Sequence, residues 1–329
     1  MSLKKNLKRL LPRKIFQGEK EKPKKVKDDS LKEESIKIKL KRYESITQAE
    51  IKILIEEWYF KRTGKILDLE NPRTYNEKIQ WTKIYGDLPL MGKLADKFLV
   101  RDYVASKIGA EYLTNLYGVW DSEQDINFEE LPKKFVLKAT HGCNWNLIVT
   151  DKDKLDETTA LSTARLWLMD NFSYSFGYEM HYSYCEPRLI AEEYLTNGVQ
   201  YDPASDRSYE DLYDYKFWCF DGKVYYIQLL TSRAIGIKMA FYDCAWDKMN
   251  FVYSYQQNTH DVPKPDNLEL MIRLAEKLAE GFPHVRVDFY RLNDGRIVFG
   301  EMTFTTRSGV CTWDPPEADE MMGTLFHIP

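Results

Sequence analysis

Apolar residues recur at helical spacing from Ile51 to Tyr59 and from Tyr75 to Tyr85. The same period runs from Lys93 to Ile108, where Leu94, Phe98 and Val104 share one stripe. Short apolar runs at 135–137 and 147–149 predict strands on either side of a polar loop, Ala139 to Asn146. Residues 157–170 read as a helix. An aromatic stretch with Phe172, Tyr174, Tyr178, Tyr182 and Tyr184 follows, and strand signals return at Leu189 to Leu195. Asp214 to Phe220 and Lys223 to Leu230 predict a hairpin, since Asp221-Gly222 suits a two-residue turn. Asp266 with Glu269 gives a capping-box-like start to a helix. Its buried stripe is Leu268, Met271, Ile272, Ala275, Leu278 and Ala279, and Gly281 ends it. A second hairpin, His284 to Leu292 and Arg296 to Phe304, turns at Asp294-Gly295. Helices mixed with antiparallel hairpins predict an α+β or α/β fold.

Composition narrows the class. With 43% hydrophobic and 14% aromatic residues among 329, the chain can fill cores for about two domains. No run approaches the ~18 apolar residues of a membrane span, and no signal-peptide core is present, so a cytoplasmic protein is expected. The cysteines 143, 185, 219, 244 and 311 are scattered and odd in number, which argues against a disulfide framework or thiolate zinc site. Any metal is expected to be a hard cation held by oxygen. Residues 1–27 carry eleven Lys and Arg against two Glu, so within a net charge of −4 the remainder is acidic. That acidic body argues against nucleic acid as partner. Residues 1–42 read as a charged, disordered tail. Leu3, Leu7, Leu10 and Leu11, on one helical face between lysines, also suit peripheral contact of residues 1–27 with an anionic membrane.

The second hairpin brings chemistry together. A turn at Asp294-Gly295 pairs Asn293 with Arg296, Tyr290 with Phe299, Asp288 with Glu301 and Arg286 with Thr303. Alternation then puts Arg286, Asp288, Glu301 and Thr303 on one face. Opposed like charges ~5 Å apart destabilise a sheet, the more so when partly buried. A shared proton, a bound Mg²⁺ or full solvation each answers that cost. Carboxyls at such a spacing also serve retaining glycosidases, so the pair alone does not name a reaction. Arg286 suits a phosphate or a developing acyl phosphate.

Lysines bear on the choice. Lys97 stands early in a helix, Lys138 ends an apolar strand, and Lys216 lies between large apolar neighbours. Each reads either as a phosphate contact, because an uncompensated buried ammonium is costly, or as a lysine whose head snorkels to solvent. Ala191-Glu192-Glu193-Tyr194-Leu195 closes a strand where a carboxylate accepts from an adenine amino group and backbone near Leu195 meets the ring edge. An ordinary acidic strand end reads equally well there. His141 and Cys143, two apart with no third partner, do not make a nucleophile pair.

The order of these motifs resembles the ATP-grasp superfamily, and within it the TupA-like branch, named for teichuronopeptide biosynthesis. Asn71-Pro72-x-Thr74-Tyr75-Asn76-Glu77-Lys78-x-Gln80-Trp81 looks like the branch's N-terminal signature. Asp96-Lys97 with Val100-Arg101-Asp102-Tyr103-Val104 is similar to the segment whose lysine reaches nucleotide phosphates. The resemblance implies Lys138 as the lid lysine, Glu192, Glu193 and Leu195 as the adenine hinge, and Lys216 and Arg233 as paired basic positions. It further implies Arg286 at the reacting centre and Asp288, Glu301 and Thr303 at the metal. Two departures stand out: Thr303 replaces the usual asparagine, and the lid loop from Thr140 to Asn146 has only Gly142.

The implied organisation is a tail (1–42), an N-terminal domain (43–130), an ATP-grasp lid (131–196) and a catalytic subdomain (197–329). The implied reaction uses ATP and Mg²⁺ to join the carboxylate of a uronic acid or its glycan to an amino acid or simple amine, in surface polysaccharide biosynthesis. Tyr174, Tyr178, Tyr182 and Tyr184 either stack on sugar rings or pack the lid. The alternatives are a glycosyltransferase or glycosidase working through Asp288 and Glu301, and a non-catalytic membrane-bound assembly component.

Overall fold

The computed structural model describes residues 25–202, 207–210, 212–231, 237–254, 256–257 and 262–329. Helices α1 (Lys25–Tyr43) and α2 (Gln48–Thr63) come first, followed by α3 (Tyr75–Tyr85). Both α2 and α3 open on full capping boxes, Thr47 with Glu50 and Thr74 with Glu77. The helix predicted over 93–108 is instead two, α4 (Leu88–Ala95) and α5 (Val100–Lys107). Asp96 breaks it: its Oδ1 accepts from the backbone N–H groups of Phe98 and Leu99 at 2.8 and 2.9 Å. Such a side-chain acceptor satisfies the donors of a new helix start, and it leaves Lys97 at the corner.

The tail expected over 1–42 differs from the structure from Lys25 onward. Helix α1 packs on α6 (Glu157–Met169), with Ser162 donating to Asp29 at 2.7 Å and Arg165 to Glu33 at 3.1 Å. Lys39 pairs with Asp170, and Tyr43 stacks on Tyr174 with ring centroids 4.4 Å apart. Its charges find partners on a distant segment, which composition does not show. Residues 1–24, including Leu3, Leu7, Leu10 and Leu11, lie outside the described residues.

A four-stranded antiparallel sheet holds β1 (Leu116–Trp120), β2 (Phe135–Ala139), β3 (Asn146–Val149) and β4 (Leu189–Glu193), ordered β1-β4-β2-β3. Ala160 and Ala164 of α6 pack against Phe135, Leu137, Val149 and Ala191 on this sheet. A ribbon of β5 (Val199–Asp202) and β6 (Arg207–Glu210) leads to a six-stranded sheet. That sheet contains β7 (Asp214–Phe220), β8 (Lys223–Thr231) and β9 (Lys238–Tyr242). The short β10 (Val252–Tyr253) departs from it, and β11 (Gln256–Gln257), β12 (His284–Arg291) and β13 (Ile297–Thr303) complete it in the order β11-β9-β8-β7-β12-β13. β10 pairs with β14 (Trp313–Asp314), and α8 (Ala318–Leu325) closes the chain.

Helix α7 (Leu268–Ala279) covers one face of the large sheet with Leu268, Met271, Leu274, Ala275, Leu278 and Ala279 buried. Each large aliphatic there contributes roughly 1.5–3 kcal/mol. Its predicted capping box is absent. Asn267 occupies the cap position, and its Oδ1 accepts from Arg291 at 3.0 Å. Asp266 and Glu269 are drawn to Arg291 and Lys264 at 3.6 and 3.5 Å.

The first hairpin turns as predicted, with Asp221 and Gly222 both at positive φ, +47° and +74°. The second turns over three residues. Leu292 N–H donates to Arg296 O at 2.9 Å, and Gly295 is left-handed at φ +88°. Tyr290 therefore pairs with Val298, not Phe299. A bulge then leaves Gly300 unpaired, because Phe289 faces Phe299 while Asp288 faces Glu301. Gly300 suits the place, since a Cβ there meets Asp288 O at 3.2 Å. The two one-residue offsets cancel, so Asp288 opposite Glu301 and Arg286 opposite Thr303 hold as predicted.

Helix α3 braces the chain beyond β13. Asn76 bonds Cys311 N, Cys311 O and Asp319, and Gln80 donates to Ser308 O and Gly309 O at 3.0 and 2.8 Å. Lys83, fully buried, donates to Gly177 O and to Ser308 O and Oγ. Spacings of four and three put these polar side chains on one helical face.

Candidate active site

Lys216, Asp288 and Glu301 stand abreast on three adjacent strands, β7, β12 and β13. Two residues along, Arg286 lies beside Thr303 on the same face. Its guanidinium donates to Asp288 Oδ1 and Oδ2 at 2.7 and 2.8 Å, to Glu301 Oε1 at 2.9 Å and to Thr303 Oγ1 at 3.0 Å. Lys216 bridges Asp214, 2.8 Å away, and Asp288. The repulsion between the facing acids is therefore already offset by two cations, an answer not among those weighed from the sequence.

The electrostatics divide the two acids. Burial, with Asp214 and Glu301 close by, raises the Asp288 carboxyl above its ordinary value against the pull of Arg286 and Lys216. Burial also opposes ionisation of Glu301, but Lys216, Arg286 and Lys97 outweigh it and hold that carboxyl at about 2. Lys97 thus belongs to the same cluster. Its ammonium donates to Gly142 O of the loop after β2, and its backbone N–H reaches Thr140 O at 3.3 Å.

The donor set suits a hard divalent cation. Asp288, Glu301 and Thr303 offer only oxygen, and the Glu301 side chain is 42% exposed, which leaves room for water or phosphate. Among the described residues no group of three or more His, Cys, Asp or Glu gathers as a ligand set. Two carboxylates are what Mg²⁺ takes when phosphates complete its shell.

The remaining predicted residues form a second group on the small sheet. Glu192 is buried with both oxygens engaged: Oε2 accepts from Lys138 at 2.6 Å, and Oε1 from Thr114 at 2.9 Å and Arg101 at 3.2 Å. Burial raises its carboxyl, but Lys138, Thr114 and Arg101 lower it below the usual range. Lys138 therefore contacts a carboxylate rather than joining Lys97 and Lys216, and Glu192 has no oxygen unpartnered toward an adenine. Glu193 accepts from Asn115 at 3.0 Å and Arg296 at 3.4 Å, and Leu195, half-buried, follows β4. Arg233 lies outside the described residues.

Tyr174 stacks on Tyr43, Tyr178 meets Tyr43 edge-on at 6.2 Å, and Tyr182 packs on Phe172 at 4.9 Å. Of the four, Tyr184 is the exposed one, at 52%. His141 is buried with Nε2 3.0 Å from Trp167 O, which places it in packing rather than beside a thiolate. Thr306 and Thr114 lie outside every motif, while Arg101 and Asp214 lie inside Val100-Arg101-Asp102 and Asp214-x-Lys216 without a role assigned from sequence. Asp214 was findable, since Asp214-x-Lys216 alternation puts both on one strand face. Thr306, 3.4 Å from Arg286, and Thr114 sit on irregular chain with no periodic signal.

Comparison with known proteins gives the family. The sequence model of the TupA-like ATP-grasp family matches residues 77–327. No curated protein matches the sequence significantly. Among solved structures, the chain is similar to the ADP complex of purK, an N5-carboxyaminoimidazole ribonucleotide synthetase, at 14% identity and TM-score 0.39, over 69% of this chain and 50% of that one. Biotin carboxylase from Campylobacter jejuni matches at 13% identity and TM-score 0.39, over 72% and 47%. The ATP-grasp ligase PsnB, with its precursor peptide and AMPPNP, matches at 11% identity and TM-score 0.35, over 66% and 51%. The matched region thus spans about half of each of those chains. The assignment rests on the family match, which takes in most of the sequence: the chain belongs to the TupA-like ATP-grasp family.

Proposed function

We propose that this protein is an ATP- and Mg²⁺-dependent carboxylate–amine ligase of surface polysaccharide biosynthesis. Its substrates on this reading are a uronic acid, free or within a glycan, and an amino acid or simple amine. The single observation that carries the reading is the row Lys216, Asp288, Glu301 with Arg286 and Lys97 around it, within a chain of the ATP-grasp family.

A Mg²⁺ held by Asp288 and Glu301, with Thr303 beside them, would neutralise phosphate charge. The chain's own cations do the rest. Lys97 and Lys216 hold phosphate oxygens of ATP and orient the terminal phosphoryl group toward the substrate carboxylate. Arg286, with its planar fork, holds the acyl phosphate and the oxyanion formed as the amine attacks. At rest Lys216 and Arg286 are engaged by carboxylates and Lys97 by Gly142 O, so phosphate must compete for all three. The basic residues 1–27 support contact with an anionic inner membrane face. No helix among the described residues is long and apolar enough to cross a membrane.

The test measures ADP release with D-galacturonate or UDP-D-glucuronate, with and without an amine panel. Release that requires both partners supports the ligase, and release indifferent to both refutes it.

A further inference from the structure

The carboxylate of Glu179 is buried at 7% exposure, just before the turn Met180–Tyr184. Among the described residues it accepts from Thr305 Oγ1 alone. Thr305 is the second residue beyond Thr303, on the chain leaving β13, and Glu179 is close enough to Glu301 for the two charges to act on each other. Charged and titratable groups approach it from each packed element: Lys83 from α3, Glu301 from β13, Cys143 from the loop after β2, and Tyr182 from its own turn. Lys83 does not hold it directly, because that ammonium is spent on Gly177 O and on Ser308 O and Oγ, 4.6 Å above the Trp58 ring.

Amide formation needs a proton acceptor. An amine enters as its ammonium at neutral pH, and its nitrogen cannot attack until one proton leaves. Asp288 and Asp214 are engaged by Lys216 and Arg286, and Glu301, held at about 2, is a weak base. Glu179 differs. Burial raises its carboxyl to about 7 against the opposing pull of Thr305 and Lys83, a value matched to proton transfer near neutrality.

On the ligase reading above, we propose that Glu179 is the base that accepts the proton of the acceptor ammonium. The carboxylate takes one proton, and the freed nitrogen lone pair forms the C–N bond at the acyl carbon. The C–O bond to phosphate breaks, its electron pair leaves with the phosphate, and the nitrogen's second surplus proton goes to that phosphate. Glu179 then returns its proton to water.

The experiment compares two acceptors with MgATP and UDP-D-glucuronate or D-galacturonate. Hydroxylamine is unprotonated at neutral pH and captures the acyl phosphate without a base, whereas L-alanine needs one. Glu179→Gln is expected to lower amide formation on the order of 10²-fold or more and to leave hydroxamate formation within about threefold. Glu179→Asp is expected to restore part of the amide rate. In wild type the alanine rate rises with pH through about 7, and this limb disappears in Glu179→Gln. Equal loss of both products, or an unchanged alanine rate, overturns the assignment and leaves the ligase standing. Wild-type enzyme that makes no hydroxamate from either uronate overturns the ligase reading, and Glu179's role with it.

Discussion

Arg286 and Asp288 stand two residues apart on one strand, and the guanidinium grips both carboxylate oxygens, at 2.7 and 2.8 Å. Strand alternation makes this geometry available, since residues i and i+2 share a face. Asp288 is almost fully buried, so removing Arg286 leaves Lys216 as the one cation against Asp288, Asp214 and the facing Glu301. Arg286→Met is expected to cost about 3–5 kcal/mol of stability in the nucleotide-free protein. Arg286→Lys should recover only part, because a point ammonium cannot fork across two oxygens. Urea denaturation at pH 7 measures both, and an Arg286→Met variant as stable as wild type contradicts the arrangement.

Glu301 sets a pH dependence of known sign. Its folded carboxyl, at about 2, lies below its ordinary value of 4.5. The native state therefore favours the ionised form, and its contribution is complete above 4.5 and fades as pH falls through about 2. Glu301→Gln should lose most relative to wild type at pH 5 and converge with it toward pH 2. Denaturation midpoints of the two proteins across that range give the answer. A gap that widens on acidification reverses the assigned sign.

Lys138 and Glu192 are predicted to act as one unit. Val136 pairs with Glu192 in register, and the lysine two residues on reaches back to its carboxylate. With Arg101 and Thr114 on the other oxygen, the group is a closed network. Lys138→Met and Glu192→Gln should therefore be non-additive, with a coupling of about 0.5–3 kcal/mol in a double-mutant cycle. Additive losses place Lys138 in some other interaction, such as with phosphate.

How far sequence reached depended on whether a feature is periodic. The α3 boundaries, the Asp221-Gly222 turn and the two hairpins β7–β8 and β12–β13 of the large sheet follow from spacing and turn chemistry and agree with the structure, whereas β9 and β11 carry no such signal. The Asp288–Glu301 pairing also agreed, although a three-residue loop and the Gly300 bulge each displaced it and cancelled. Opposite errors of one residue restore parity, which is why the shared face survived. Charge partners were illegible where they span the chain, as with Glu33 and Arg165 or Glu192 and Arg101. Their separation in sequence leaves no local signal. The role of Arg286 between the acids was likewise hidden, because side-chain direction within a shared face is not encoded by alternation.

The motif Asn76-x-x-x-Gln80-x-x-Lys83 yields the last prediction. All three side chains are buried and end on the backbone or side chains of the segment after β13. There Arg307 and Ser308 are held at φ +52° and +54°, a conformation costly for residues with a Cβ. The lysine also fixes Gly177 O, next to left-handed Tyr178 at φ +56°. Lys83→Met takes this donor from Gly177 O, at roughly 1–3 kcal/mol, while Ser308 O keeps Gln80 at 3.0 Å. Hydrogen exchange should accelerate at 177–178 and 305–309 together while α7 stays protected. The pH dependence follows from burial, which lowers the Lys83 ammonium from 10.5 to about 7. Between those values the unfolded chain binds the proton and the native state does not, so wild-type stability rises with pH there. The gap between wild type and Lys83→Met should consequently be wider at pH 9 than at pH 7. A gap that narrows would mean that the buried amine keeps its proton, supported by Glu179 as a true ion pair.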